Sequence, residues 1–318
     1  MSEMSYRRLG ASGLAVSVVG LGCNNFGGRI DAERSNEVID AALEAGITLF
    51  DTADSYGVGR SEEILGAALR ARGRRDDVII ATKFGSDLRG ANGADFGARG
   101  GRRYIVRAVE ASLRRLQTDW IDLYQVHWPD LATPLEETMA ALDDLVRSGK
   151  VRYIGHSNFA GWQVADAAWI ARTGHLTPFI SAQNEYSLLK RDVEKDLIPA
   201  CERFGLGVLP YFPLASGLLT GKYRRGEPAP EGTRLASGPA AARLAAAPWD
   251  TIEAVEKFAA QRDLSMLDVA IGWLAAQPAV ASVIAGATRP EQVRANVAAV
   301  RWQPSAEDLV ELDEITKA

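Results

Sequence analysis

Short apolar runs alternate with helical segments along most of this chain, and the alternation occurs eight times. The predicted strands occupy residues 19–22, 47–51, 78–83, 121–126, 151–155, 179–183, 206–211 and 280–284. After the first run, apolar residues recur at the spacing of one helix face, at Val38, Ile39, Ala42 and Leu43. A strand that leads through a helix to the next strand pairs with it in parallel. Eight such units in 318 residues indicate an α/β fold, a closed (β/α)8 TIM barrel, which needs roughly 250 residues.

A doubly wound open sheet is the alternative architecture for alternating strands and helices. Such a sheet usually carries the motif G-x-G-x-x-G directly after its first strand. Here the first strand leads into Gly22-Cys23-Asn24-Asn25-Phe26-Gly27-Gly28, which does not match. We therefore predict one barrel domain over residues 1–318. An N-terminal β-hairpin turns at Ala11-Ser12-Gly13, and extra C-terminal helices end with residues 305–316.

Three polar residues are predicted to act as helix N-caps. Asp31, Ser61 and Thr133 stand where apolar residues begin to recur at helical spacing. Side-chain oxygens of these types accept hydrogen bonds from the free N–H groups of a first helical turn. Pro134 supports the third assignment, because proline is common at the first helical position.

The composition excludes several classes of function. The formal net charge of −5 argues against a protein that binds nucleic acid, which normally presents a basic face. The two cysteines and three histidines show no spacing typical of a metal site or a disulfide framework, so we predict no metal. The N-terminus lacks the apolar core of a signal peptide, and no apolar run reaches the roughly 20 residues that cross a bilayer. We therefore expect a cytoplasmic protein with no membrane partner, and an oligomer is possible.

Three reactive side chains end successive predicted strands. Asp51, Lys83 and His127 end the second, third and fourth runs, and Tyr56 lies in the turn after Asp51. Because barrel active sites form at the C-terminal ends of the strands, we expect these side chains to meet at one rim. Tyr56 can protonate a carbonyl oxygen if the cation Lys83 lowers the pKa of its phenol. Asp51 can hold Lys83, and His127 can orient the carbonyl by a hydrogen bond.

Each of these residues also has an ordinary explanation when taken alone. Asp51 can accept hydrogen bonds at the start of a loop, and Lys83 can be an exposed strand end. His127 can be a buried core histidine, and Tyr56 can be an ordinary loop aromatic. Lys83 can alternatively form a Schiff base with a carbonyl substrate, as in aldolases. The functional hypothesis depends on the four residue types occurring together at three successive strand ends.

Two long segments that follow predicted strands are expected at the same rim. Residues 85–101 are rich in glycine, and residues 223–239 are rich in proline, glycine, arginine and alanine. Loops of this length are usually either functional or disordered. We interpret both as flexible rims that select the substrate and cover a cofactor. Plain surface disorder is the alternative for the first rim.

Polar and aromatic residues at later strand ends can bind a second molecule. Ser157, Asn158 and Gln183 can hydrogen-bond a carboxamide, although helix capping is the alternative role. Tyr211 can stack on a flat heterocycle. The glycine-punctuated segment 211–222 ends in a lysine and suits a pyrophosphate.

The last predicted barrel helix opens with a second potential anion site. Residues 286–292 lead into this helix, and a helix N-terminus favours anions. Arg289 is a planar cation that can hold a ribose phosphate. Asn296, further along the helix, can hydrogen-bond adenine.

Several of these stretches resemble the aldo-keto reductase family. Residues 46–57, with the sequence Gly-Ile-Thr-Leu-Phe-Asp-Thr-Ala-Asp-Ser-Tyr-Gly, are similar to its first signature. Residues 81–85 and 124–129 are similar to two further family motifs, and the similarity extends from the hairpin to Asn296. The resemblance implies a catalytic tetrad of Asp51, Tyr56, Lys83 and His127. It also implies a hydride supplied by a nicotinamide dinucleotide that is bound without a Rossmann motif.

The resemblance further implies which residues bind the cofactor. They are Ser157, Asn158, Gln183, Tyr211, Pro213, Leu214, Ala215, Gly217, Lys222, Gly286, Thr288, Arg289, Gln292 and Asn296. Many relatives that prefer NADP carry basic residues at the positions of Gly286 and Gln292, where this chain has none. We therefore expect NADPH to be preferred and NADH to be possible.

The resemblance implies NAD(P)H-dependent reduction of an aldehyde or ketone to an alcohol, or the reverse oxidation. The partner is then a small-molecule carbonyl or sugar, with Trp128 at the substrate mouth or else in the core. The two long loops and the Lys-Phe-Gly strand end resemble the branch with bacterial sugar-aldehyde reductases and potassium-channel beta subunits. A cofactor-binding regulatory module with slow turnover is the alternative function. His156 is expected to be structural, because strand alternation turns it away from the side that Ser157 faces.

Overall fold

The computed structural model describes residues 4–236 and 241–316. Within them, eight parallel strands form one sheet. These strands are β3 (Val19–Gly22), β4 (Leu49–Asp51), β5 (Ile79–Phe84), β6 (Ile121–Val126), β7 (Val151–Ser157), β8 (Phe179–Gln183), β9 (Gly207–Val208) and β10 (Val283–Gly286). Their order in the sheet is β10-β3-β4-β5-β6-β7-β8-β9. A parallel bridge between Val208 and Val280 joins the two edges of the sheet. The predicted barrel is therefore confirmed.

Helices follow the barrel strands as the sequence predicts. They are α1 (Ala32–Glu44), α2 (Arg60–Arg72), α3 (Arg102–Leu116), α4 (Leu135–Arg147), α5 (Gly161–Gly174), α6 (Leu197–Phe204), α7 (Ala241–Ala245), α8 (Trp249–Ala260), α9 (Met266–Ala276), α10 (Pro290–Ala299) and α11 (Ala306–Thr316). The larger apolar core lies between these helices and the strands. The seventh strand is shorter than predicted, because Pro210 has no N–H to donate to a sheet.

The N-terminal hairpin closes one end of the barrel. Strands β1 (Tyr6–Arg8) and β2 (Ala15–Ser17) pair antiparallel, which confirms the predicted hairpin. Leu9 and Val16 are fully buried and pack with apolar side chains of the barrel interior. Gly10 has φ +59°, and a Cβ there would overlap the carbonyl oxygen of Gly205, so the turn requires glycine. Because the hairpin covers this end, a ligand can enter the barrel only from the opposite end, where the C-terminal ends of the strands lie.

Of the three predicted N-caps, one is confirmed and two are wrong. Asp31 caps α1, where its carboxylate accepts from the Arg34 N–H at 2.9 Å. Ser61 lies inside α2, which begins one residue earlier, and its hydroxyl donates to the Cys23 carbonyl at 2.8 Å. Thr133 instead donates to Asp130, because Pro134 occupies the N-cap position. The capping bond is thus lost to a tertiary partner at Ser61 and to a carboxylate of the preceding loop at Thr133.

His156 lies on the helix-facing side of β7, as strand alternation predicts. Its ring stacks on Phe159 at 4.5 Å and meets Phe179 edge-on at 5.2 Å. Neither ring nitrogen has a hydrogen-bond partner among the described residues. Burial lowers the pKa of His156 from an ordinary value of 6.5 to about 3. The imidazole is therefore neutral in the folded protein and takes up a proton only on unfolding.

We expect His156 to make the fold acid-sensitive. Above pH 6.5 neither the folded nor the unfolded state protonates this ring, so it contributes nothing to the pH dependence. Below pH 6.5 only the unfolded state gains the proton, so stability falls as the pH drops toward 3. At pH 5 the cost is about 2 kcal/mol. Urea unfolding of the parent and of His156→Leu at pH 7 and pH 5 tests this. The free energy of unfolding should fall less between the two pH values in the variant than in the parent, by that amount. An unchanged loss would contradict this assignment.

Candidate active site

Strand alternation stacks two layers of side chains inside the barrel. Leu49, Ala81 and Leu123 belong to the apolar interior cluster. Two residues further along the same strands stand Asp51, Lys83 and Gln125, which therefore point to the same side of each strand. These side chains form a polar layer next to the C-terminal rim.

Lys83 lies at the centre of this layer and is fully buried. Its ammonium donates to Asp51 Oδ2 at 2.7 Å and to the Thr52 carbonyl at 2.8 Å. It also lies 3.3 Å from the Tyr56 hydroxyl. A second set of contacts holds the carboxylate, because Asp51 Oδ1 accepts from Gln183 at 2.8 Å and from Gln125 at 3.4 Å. The carboxylate, ammonium and phenol predicted from the sequence are thus brought together.

The electrostatics of the Lys83–Tyr56 pair differ from the sequence expectation. Burial raises the pKa of the Tyr56 phenol, and the charge of Lys83 offsets this only in part, so the net pKa lies above 10. Lys83 lowers the pKa as expected, but the net pKa is raised, because burial disfavours phenolate more than one cation favours it. For Lys83 itself, burial lowers the pKa, but Asp51 and Tyr56 outweigh it and the net pKa is raised. Both groups are therefore protonated at neutral pH.

The same geometry argues against a Schiff-base role for Lys83. An amine must lose its proton before it can attack a carbonyl, and a lowered pKa is the usual means. Here the carboxylate at 2.7 Å keeps Lys83 charged. The side chain is also fully buried and does not line the central cleft.

His127 completes the predicted set at the edge of the cleft. Its ring lies edge-on to Tyr56 with centroids 5.9 Å apart. Its Nδ1 lies 3.0 Å from the Ser86 hydroxyl and 3.5 Å from that of Ser55. Burial and then the charge of Lys83 lower the pKa of His127 to about 3, so the imidazole is neutral. Trp128 stacks on this ring at 6.1 Å and is 51% exposed at the mouth, which places it outside the core.

The polar strand ends predicted to hold a carboxamide form one hydrogen-bonded group. Ser157 donates to the Gln183 carbonyl at 2.7 Å. Asn158 donates to the His127 carbonyl at 2.9 Å and accepts from the Tyr211 hydroxyl at 2.8 Å. Capping is not the role of these side chains, since their partners lie on neighbouring strand ends and not in the next helix. All of these side chains line the cleft.

A cleft opens above the polar layer. Its volume of about 1020 Å³ is at the upper end of the range for sites that bind drug-sized ligands. The predicted residues that line it are Asp51, Tyr56, His127, Trp128, Ser157, Asn158, Gln183, Tyr211, Pro213, Leu214, Gly217, Lys222, Gly286, Thr288, Arg289, Gln292 and Asn296. Ala215 lies beside the cleft but does not line it. Gln292 is already engaged, since its Oε1 accepts from the Thr288 N–H at 2.7 Å.

The structure adds three cations that sequence reasoning missed. Arg29, Arg234 and Arg243 line the cleft together with Lys222. Arg234 lies over the Phe212 ring at 5.3 Å, and Arg243 donates to the Ser216 hydroxyl at 3.0 Å. Burial, followed by the charges of Arg29 and Arg243, lowers the pKa of Arg234. Arg234 stands in a loop without a periodic pattern, so only the arginine-rich composition of residues 223–239 hinted at it, and no sequence pattern pointed to Arg29 or Arg243.

Four cations that line the cleft have no carboxylate partner in the part of the chain that the structure describes. Within residues 4–236 and 241–316, none of Lys222, Arg234, Arg243 and Arg289 forms an ion pair with a carboxylate. Residues 237–239 of the second predicted rim lie outside the described residues. The cleft also contains Glu185 and Glu231, but the cations outnumber them. Unpaired cations in a cleft favour an anionic ligand.

Two absences among the described residues bear on the function. No group of three or more His, Cys, Asp or Glu side chains is placed to hold a metal ion within residues 4–236 and 241–316. In the same ranges, no helix combines the length and the apolar character that crossing a bilayer requires. Cys23 and Cys201 are both buried and unpaired with each other.

Comparisons with known proteins agree with the geometry of the site. The family model described as "Aldo/keto reductase family" matches residues 18–317. The chain is 38% identical to the uncharacterized oxidoreductase YrpG of Bacillus subtilis, covering 98% of this chain and 96% of the relative. It is 34% identical to L-glyceraldehyde 3-phosphate reductase of Escherichia coli, covering 98% and 92%. It is 36% identical to a probable voltage-gated potassium channel subunit beta of Oryza sativa, covering 93% and 91%.

These matches span nearly the whole barrel and contain the four residues that meet at its rim. The chain is an oxidoreductase and belongs to the aldo/keto reductase family.

Proposed function

We propose that this protein reduces an aldehyde or ketone to an alcohol with NADPH or NADH, or catalyses the reverse oxidation. The single observation that carries the proposal is the contact of the Lys83 ammonium with both Asp51 and the Tyr56 hydroxyl at the base of the cleft. When bound, the nicotinamide cofactor supplies the hydride for the carbonyl carbon. The residues of this chain then have to supply the proton and hold the carbonyl in place.

Tyr56 supplies the proton in this proposal. Its raised pKa keeps the phenol protonated at neutral pH, so the acid is ready before the reaction. As the substrate oxygen gains electron density and takes the proton, the phenolate left behind faces the Lys83 ammonium at 3.3 Å. This charge-assisted contact strengthens in the transition state, which is where stabilisation accelerates a reaction. Asp51 keeps the ammonium in position.

His127 orients the carbonyl in this proposal. Because its imidazole is neutral, it can donate one hydrogen bond to the substrate oxygen without competing as an acid. Trp128 offers an exposed ring beside it for the remainder of the substrate.

The cleft residues fit a nicotinamide dinucleotide. The polar group around Asn158 can bond the carboxamide, and the Tyr211 ring can lie against the flat nicotinamide. Lys222, with Arg234 and Arg243 nearby, suits the pyrophosphate, because these cations lack carboxylate partners among the described residues. Arg289, at the start of α10, would hold the ribose phosphate. Asn296, further along the same helix, would hold the adenine. We propose a preference for NADPH on the strength of Arg289.

Replacing Arg289 by alanine tests the cofactor preference. The substitution removes a cation that NADPH needs for its extra phosphate and that NADH does not need. A lost hydrogen bond to a charged group costs about 1.5 to 3 kcal/mol, so we expect NADPH to bind roughly 10- to 100-fold more weakly. The affinity for NADH should change little. Titrations that follow nicotinamide fluorescence measure both affinities, and equal losses would rule out the phosphate role.

A screen of aldehydes, ketones and sugars with both reduced cofactors tests the reaction itself. We include small phosphorylated and unphosphorylated sugar aldehydes, since one relative is named for L-glyceraldehyde 3-phosphate. Oxidation of the cofactor that depends on a carbonyl compound is the expected result. Tight cofactor binding without turnover of any carbonyl would favour the regulatory module, a role consistent with the similarity to potassium channel beta subunits.

A further inference from the structure

The glycine-rich segment 85–101 contacts the active-site histidine directly. It begins at Gly85, which has φ +103°, a left-handed conformation that favours glycine. The next residue, Ser86, places its hydroxyl 3.0 Å from Nδ1 of His127. This is the shortest hydrogen bond of the ring to a described residue, since the Ser55 hydroxyl lies at 3.5 Å.

The surroundings of the two ring nitrogens differ. Of the side chains and backbone groups that the structure describes, only the hydroxyls of Ser86 and Ser55 are within hydrogen-bond distance of Nδ1, and no carboxylate or carbonyl is. Among residues 4–236 and 241–316, Nε2 has no partner and is not a buried unsatisfied atom, and His127 lines the cleft. A neutral imidazole carries one proton, and the bond at one nitrogen decides which nitrogen has it.

We propose that Ser86 donates its hydroxyl to Nδ1 and thereby holds His127 in the tautomer that carries its proton on Nε2. The proton then faces the cleft, where it can be donated to a carbonyl oxygen. In the other tautomer Nε2 would present a lone pair to that oxygen and repel it. Ser86 is thus a positioning residue that acts through His127. The catalytic consequence rests on the proposed carbonyl reduction, whereas the tautomer itself does not.

Buried contacts further along the segment hold Ser86 in place. Asn92 is only 8% exposed and donates to Asp54 at 3.1 Å. Its side-chain oxygen accepts from Arg115 at 3.1 Å, and Arg115 also pairs with the fully buried Glu62 at 2.6 Å. The segment is therefore anchored to the outer wall of the barrel, and its first residues are held beside the histidine.

Nitrogen NMR of a protein labelled at histidine tests the tautomer without any substrate. The chain has only three histidines, and a His127→Gln variant assigns the relevant signals. We expect Nδ1 of His127 to be unprotonated and hydrogen-bonded and Nε2 to be protonated. In Ser86→Ala this signature should shift toward a mixture of tautomers, and Ser86→Thr, which keeps the hydroxyl, should restore it. A proton on Nδ1 in the parent, or an unchanged signature in Ser86→Ala, would overturn the proposal.

Kinetics test the consequence for the reaction. Loss of one such hydrogen bond should lower kcat by about tenfold in Ser86→Ala, with no change in cofactor affinity. Ser55→Ala, which removes the more distant hydroxyl, should lose less. In a His127→Gln background Ser86→Ala should lower kcat almost no further, because there is no imidazole left whose tautomer Ser86 could fix. An equal loss in both backgrounds would mean that the substitution disturbs the loop and not the ring. Failure of the carbonyl screen would leave the NMR result standing, so the two failures are distinguishable.

Discussion

Tyr56→Phe should lower the kcat for carbonyl reduction by about a thousandfold and leave cofactor binding intact. A positioned general acid contributes roughly 10²- to 10⁴-fold, and the Tyr56 phenol lies 3.3 Å from the buried Lys83 ammonium at the base of the cleft. Phenylalanine keeps the ring that lies 5.0 Å from Lys83 Nζ and removes only the oxygen. Packing of the site should therefore be preserved while the proton source is lost.

The measurement is kcat for a good aldehyde, together with a fluorescence titration of the cofactor. Tyr6→Phe is the matched control, because it deletes the same atom from a 52%-exposed tyrosine on the hairpin at the other end of the barrel. This control should behave like the parent. Reduction by Tyr56→Phe at the parent's rate would show that another group donates the proton.

The second large effect is expected from Lys83→Met, which should damage both stability and activity. The substitution leaves the Asp51 carboxylate buried, with Gln183 and Gln125 as its remaining side-chain donors among the described residues. Removing one partner of a buried ion pair typically lowers the free energy of unfolding by about 3 to 5 kcal/mol, because the remaining charge has no counter-ion. Without the ammonium the Tyr56 phenolate also loses its stabilising charge, so we expect at least a hundredfold loss in kcat.

The double variant Asp51→Asn with Lys83→Met separates these two effects. It removes both charges, so most of the lost stability should return in urea unfolding, while activity should stay low. Arg72→Met is the control, because it removes the cation of a partly exposed ion pair with Asp40. It should lower the free energy of unfolding by about 1 kcal/mol or less. A double variant no more stable than Lys83→Met would mean that packing, and not charge, sets the cost.

The site depends on residues that sequence reasoning treats unequally. Asp51 and Lys83 lie near the C-terminal ends of regular strands, and their places in the barrel follow from strand order and from the two-residue alternation. Ser86 and Arg234 stand in long loops without periodicity, and their positions depend on contacts between segments far apart in the chain. For the same reason the predicted cap failed at Ser61, whose hydroxyl bonds the distant Cys23 carbonyl, whereas at Thr133 a carboxylate of the preceding loop, Asp130, accepts the hydroxyl.

The sequence by itself determined the eightfold strand-helix alternation, the parallel barrel and the four reactive residue types at its rim, because local periodicity identifies strands and helices and a helix between two strands makes them parallel. Only the tertiary structure decided the protonation states of these groups. Burial raises the pKa of Tyr56 against the pull of Lys83 and lowers that of His127 to about 3. The physical reason is that desolvation depends on how many distant segments pack around a side chain, and no local pattern encodes that depth.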